Sequence, residues 1–118
     1  MDQDRIQRLK DIMKKFGSNV VLHSGDCLGA DALAFKYAKK LGWKNELHPP
    51  LNPKYRAYCK GYDKIHPEKE YLARNRDIVD SSKFLIAFPK DPSKEEQRSG
   101  TWATIRYARK KGKRIYYV

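Results

Sequence analysis

Apolar side chains at Ile6, Leu9, Met13 and Phe16 are spaced three or four apart, which places them on one stripe of a helix. Gly17 follows as a stop signal. The next segment, Asn19 to His23, is a short apolar run, β-branched at its centre, of the buried-strand type. A turn-rich loop, Ser24 to Gly29, leads to a second helical stripe at Ala30, Leu33, Ala34, Tyr37, Ala38 and Leu41. Gly42 ends it.

Glu46 to His48 reads as a weak strand closed by Pro49 and Pro50. Residues 51–67 lack periodicity and read as a long loop with one helical turn. A helix is expected over 68–80, with Leu72, Asn75 and Val79 on one face. The clearest buried strand is Phe84 to Phe88. A polar stretch, 89–99, precedes a helix whose face is marked by Thr101, Thr104, Ile105 and Ala108, with Gly112 after it. A final strand covers 114–118. Alternating helices and strands predict an α/β domain, a mostly parallel sheet with helices on both faces. Ligands of such sheets sit beyond the carboxyl ends of the strands. That points to loops 23–29, 48–66 and 88–101.

Composition sharpens the picture in two places. The 118 residues suit one domain, 1–118, with no repeat and no low-complexity tract. The net charge is +12, and it is uneven: residues 51–118 carry 17 basic and 8 acidic side chains, against 9 and 6 in residues 1–50. Such an excess either keeps the protein soluble or serves an anionic partner. Two cysteines outside a C-x-x-C pair, and no hydrophobic leader, are read as a reduced, cytoplasmic protein. No apolar run approaches the ~20 residues of a membrane span, so no membrane partner is expected.

Three segments carry candidate chemistry. In the loop after the first strand, Ser24, Gly25, Asp26, Gly29 and Asp31 surround a helix start. Glycines there admit close backbone approach, and free amides attract an anion. The plain alternative is a β–α turn with Asp31 complementing the helix dipole. The second segment is Arg98, Ser99, Gly100 and Thr101, followed by Trp102. It offers hydroxyls, amides and a guanidinium suited to phosphate. Equally, Ser99 or Thr101 is a simple N-cap. The third is Arg74, Asn75 and Arg76, with Asn75 expected inward and the arginines flanking it. Helical arginines usually face solvent, here beside Asp77 and Asp80. Cys27, beside a helix start, is a candidate for a lowered pKa or for inert packing. His23, His48 and His66 are far apart and show no metal-ligand spacing, so no metal and no cofactor is expected. Tyr55, Tyr58 and Tyr62 interleave with Lys54, Arg56, Lys60 and Lys64. That mix suits a base-stacking surface or a loop packed on its own aromatics.

Taken together the segments resemble the SLOG superfamily of nucleotide-binding proteins, which includes the LOG-type nucleotide phosphoribohydrolases, the DprA (Smf) DNA-processing proteins and the YspA/YpsA-like small proteins. His23 to Ala34 is similar to the family's H-G-x-x-x-G-A-D-x-x-A segment. Arg74-Asn75-Arg76 looks like its R-N-R. Ser99-Gly100-Thr101 with Ala108 and Gly112 looks like its S-G-T…A…G ending. The resemblance runs from Val20 to Val118 and implies a Rossmann-like three-layer sandwich. Two departures accompany it. Members usually begin with a strand and a Gly-rich loop, whereas this chain begins with a helix; the strand is absent, supplied by a partner or encoded upstream. The catalytic glutamate of the LOG-type hydrolases aligns with Thr104, a poor general base, while their catalytic arginine matches Arg74.

The expected function is binding of a nucleotide or nucleotide-derived phosphate ligand, as a sensor, carrier or sequestering protein. One alternative is a DprA-like binder of single-stranded nucleic acid. A phosphoribohydrolase-type enzyme, with Asp26 or Asp31 in place of the lost acid, is another. A fourth is an interaction module that forms a homo-oligomer through an open sheet edge.

Overall fold

The apolar stripes become helices because each has a core to cover. A computed structural model of the protein describes residues 2–118. Helix α1 (Gln3–Lys14) is capped by Asp2, whose carboxylate accepts from the Arg5 amide. It buries Leu9, Ile12 and Met13. Strand β1 (Val21–Ser24) follows, then α2 (Ala30–Lys40), β2 (Lys44–Leu47) and a short 3-10 turn at Pro53–Tyr55. Strand β3 (Lys64–Ile65) precedes α3 (Tyr71–Asp80), β4 (Phe84–Ala87), α4 (Gly100–Lys110) and β5 (Arg114–Tyr117).

All strand pairings among these elements are parallel. They form two small sheets, β1-β2-β3 and β4-β5. Strands β1 and β4 do not pair. A space of ≈ 500 Å³ lies between them, lined in part by Leu22, His23, Phe84, Leu85 and Ile86.

One hydrophobic cluster nevertheless spans both sheets. Leu9, Ile12 and Met13 of α1 and Ala34 and Ala38 of α2 pack with Trp43 and Val118. Leu22 of β1, Ile86 of β4 and Tyr116 of β5 lean on the same cluster. A second cluster, Trp102, Ile105 and Ala87, covers the opposite face of β4-β5 through Leu85, Ile115 and Tyr117. Helix α3 packs against α4. Polar ties reinforce α1. The Arg5 guanidinium donates to the carbonyls of Pro89 (2.8 Å) and Val118 (2.9 Å), and Arg8 donates to that of Tyr117.

The sequence missed β3, whose two residues are both exposed. It also started α3 three residues early and placed Leu72 on the inward face with Asn75 and Val79. Leu72 is 49% exposed, while Arg74 is buried beside Val79. The guanidinium has carbonyl partners inside, and this outweighs the apolar preference of Leu72. No helix among the described residues is long and apolar enough to cross a membrane.

Leu9 is fully buried in the cluster that joins the sheets. Leu9→Ala should cost about 2–5 kcal/mol in urea denaturation. Leu28→Ala, at a site 61% exposed, should stay within about 0.5 kcal/mol. Equal effects at the two positions would show that this cluster does not hold the sheets together.

Candidate functional site

The carboxyl ends of β1 and β4 and the starts of α2, α3 and α4 surround a cleft of ≈ 330 Å³. Of the residues singled out in sequence, Ser24, Gly25, Asp31, Arg74, Asn75 and Thr101 line it. The backbone explains why the first loop is glycine-rich. A Cβ on Gly25 would collide with the Arg74 guanidinium, and Gly29 holds φ +90° as it enters α2. Helix α2 therefore opens with no side-chain cap on its amides.

Arg74 is the central charge. It is 3% exposed, and its Nη1 donates to the carbonyls of Gly25 (2.6 Å) and His48 (3.2 Å). The Tyr71 ring stacks over the guanidinium at 5.1 Å. Among the described residues, Nε of Arg74 has no partner, and neither does the buried Oγ of Ser24. Asp31 accepts from the Cys27 amide at 3.2 Å. Burial raises its pKa, with Arg74 opposing the rise. Desolvation outweighs both the Arg74 charge and the hydrogen bonds from Cys27. Cys27 is shifted the same way. Burial and then the Asp31 charge raise its thiol pKa, with Arg74 opposing, and this runs against the lowered pKa considered from sequence.

Asn75 points inward as expected and donates to Thr104 Oγ1 at 2.9 Å. Thr104 in turn donates to the Gly100 carbonyl at 3.1 Å. Ser99 caps α4 through the Trp102 amide, and Gly100 leaves room for the Tyr71 ring. Four other candidates have different places. Asp26 is fully buried and accepts from Arg56 Nε (3.0 Å) and the Cys59 amide (2.9 Å), which ties down the long loop. Arg76 is exposed, over the Tyr107 ring. Arg98 is exposed and lies outside the cleft lining. Gly29 sits at the α2 start without lining the cleft.

Tyr71 and Thr104 were missed as cleft residues, as was a cluster of all three histidines. One ligand nitrogen from each of His23, His48 and His66 lies within 4.8 Å of the others. Burial lowers the pKa of His23, and burial and the neighbouring rings lower that of His48 to about 4. The His66 hydrogen bond lowers Glu46. The signal that could have found them was position: His23 and His48 both close predicted strands. No family model, curated protein or solved structure matches this chain.

His48 gives the site a pH signature. Its pKa is about 4 when folded and 6.5 ordinarily. The unfolded chain therefore takes up the proton first as pH falls. Stability that is full above pH 6.5 should be lost progressively toward about pH 4. Urea midpoints in EDTA buffer should drop across that window, and His48→Gln should flatten the upper part of the drop. An unchanged slope in the variant would assign the effect to other groups.

Proposed function

We propose that this protein binds a nucleotide-type, phosphate-bearing ligand in the cleft, as a small member of the SLOG superfamily. The observation that carries the proposal is the pair of unpartnered buried polar atoms, Ser24 Oγ and Arg74 Nε, in one cleft wall. Both are donors, and buried donors without partners are costly unless a ligand or water completes them. Phosphate oxygens are acceptors for both kinds of donor, and the α2 start, with no side-chain cap, is a further anion-attracting feature. Asp31 then accepts hydroxyls, as a carboxylate does from ribose. Small-molecule sites run from about 300 to 1,000 Å³. At ≈ 330 Å³ the cleft suits a mononucleotide derivative better than a dinucleotide.

We read the two sheets as parts of one Rossmann-like three-layer sandwich. The cluster shared by α1 and α2 covers both sheets on one side, and α4 with α3 lies on the other. Binding is favoured over hydrolysis. Thr104 stands where a catalytic carboxylate would be needed, and its hydroxyl is committed to Asn75 and Gly100. Asp31 is the remaining acid in the cleft, and it is held by Cys27.

A second reading, binding of single-stranded nucleic acid, rests on Tyr55 (62% exposed), Tyr58 (55%) and Tyr62 (43%) in the basic loop. Stacking platforms of this kind track a phosphate backbone, and their affinity falls steeply with salt.

Calorimetric titration with a panel of nucleoside mono- and diphosphates, beside single-stranded DNA at two salt concentrations, separates these readings. Saturable, salt-tolerant nucleotide binding is expected. Arg74→Ala should weaken it by about 1.5–3 kcal/mol, the loss of a charged hydrogen bond. Arg74→Lys, with folding checked by circular dichroism, controls for the structural bonds of the guanidinium. Binding of DNA alone, and only at low salt, would move the function to the tyrosine-rich loop.

A further inference from the structure

The chain has three histidines, and all three meet at one place: His23 lies on β1, while His48 and His66 directly follow β2 and β3, their amides bonded to the Ser24 and Leu47 carbonyls. The parallel register brings them there. His23 is paired with Glu46, two residues before His48, and Glu46 with Lys64, two residues before His66. Residues two apart in a strand share a face, so the three imidazoles and the Glu46 carboxylate stand on the same side of β1-β2-β3. Leu22 and Leu47 alternate with them on the other side. His23 Nδ1 and His48 Nε2 are 2.9 Å apart, and the His48 and His66 rings stack with centroids at 4.0 Å. Glu46 Oε1 lies 2.7 Å from His66 Nε2 and 3.9 Å from His23 Nδ1.

We propose that His23, His48 and His66 form a three-imidazole site for a divalent transition metal of the Zn²⁺ type, with Glu46 as the carboxylate that orients His66. Imidazole nitrogen suits Zn, Cu, Ni and Co rather than Mg or Ca. Three protein ligands with an open fourth position is the pattern of a site that keeps a place for water or a ligand. Ligands at Zn–N distances of about 2.0–2.1 Å in a tetrahedron sit roughly 3.3 Å from one another. The 2.9 Å pair is close to that spacing, and the widest separation, under 4.8 Å, closes by rotation of the rings. His66 has the most room to turn, with 26% of its side chain exposed against 11% for His23. A carboxylate against an imidazole is the usual partner that fixes the tautomer of a ligating histidine. Among the described residues, Glu46 is the one carboxylate in contact with these rings, and its hydrogen bond goes to His66. Lys64, on the same face, opposes a cation, while Glu46 and Asp77 of α3 favour it.

This site does not depend on the nucleotide reading. Its ligands bind through ring nitrogens, whereas the cleft uses Arg74, Ser24 and backbone amides. The test is calorimetric titration of EDTA-stripped, dialysed protein with Zn²⁺ alone, repeated with Co²⁺ while the visible absorption is recorded. One equivalent should bind saturably, and Co²⁺ should show the intense bands of a four-coordinate site. Glu46→Gln should weaken Zn²⁺ about 10–100-fold, and His66→Ala should weaken it further. Circular dichroism and thermal melts establish that the variants fold. His66 is partly exposed, so its variant is the one best suited to keep the fold; His66→Gln serves as a second form. Absence of saturable Zn²⁺ binding to the wild-type chain would overturn the proposal. So would equal Zn²⁺ affinity in the wild type and a folded His66 variant.

Discussion

A buried guanidinium holds the functional end of this molecule together. Arg74 reaches out of α3 and donates through Nη1 to the carbonyl of Gly25, just past β1, and to that of His48, just past β2. Three segments that are distant in the chain thus converge on one charge. The desolvation cost of burying it is large. It is offset by those carbonyls, by the Tyr71 ring and by the Asp31 carboxylate, with which the guanidinium interacts electrostatically. Gly25 lacks a side chain because the guanidinium occupies the space where a Cβ would project. The glycine and the arginine are one structural decision made at two places in the sequence.

That constraint fixes what lies around it. With the β1 and β2 ends held together, loop 24–29 must turn tightly, and it does so through Asp26 at φ 53° and Gly29 at φ 90°. Asp26 accepts a left-handed backbone because its buried carboxylate is held by Arg56 and the Cys59 amide. The same bonds carry the long loop over residues 56–59 onto the site. The acidic residue in the turn is therefore an anchor, while Asp31, one helical turn on, faces the cleft. Two aspartates five residues apart have different roles because Asp26 is hydrogen-bonded directly to the Arg56 guanidinium, whereas Asp31 accepts from the Cys27 amide and only senses the charge of Arg74.

Much of the architecture was legible in the pattern of apolar residues. The stripe through Leu9 and Met13 and the run at Phe84 to Ala87 are true core features. Strand β3 escaped because two exposed residues, Lys64 and Ile65, carry no alternation to detect. Leu72 was placed inward and Arg74 outward because periodicity counts a charged residue as outward, and a buried Arg74 inverts that rule. The histidine cluster was hidden for a different reason. His23 and His48 are 25 residues apart, and sequence spacing identifies ligands only when they share a helix, a hairpin or a knuckle. Here register across three strands brings them together, and one of those strands was itself invisible.

Arg74 and the histidine cluster meet at His48, through opposite ends of that residue. The His48 carbonyl accepts from Arg74, while the His48 ring contacts His23 and stacks on His66. A shift of the Arg74 guanidinium would change the path of the backbone at His48 and so the position of its ring. A change in the ring's partners would bear on the carbonyl in the same way. Coupling of this kind needs no long pathway, since one peptide unit joins the two places. It runs in both directions, because any free energy linking two sites is reciprocal. Arg74 lines the cleft and holds the His48 carbonyl, so the same bracket that closes the ends of β1 and β2 joins the two places in the fold.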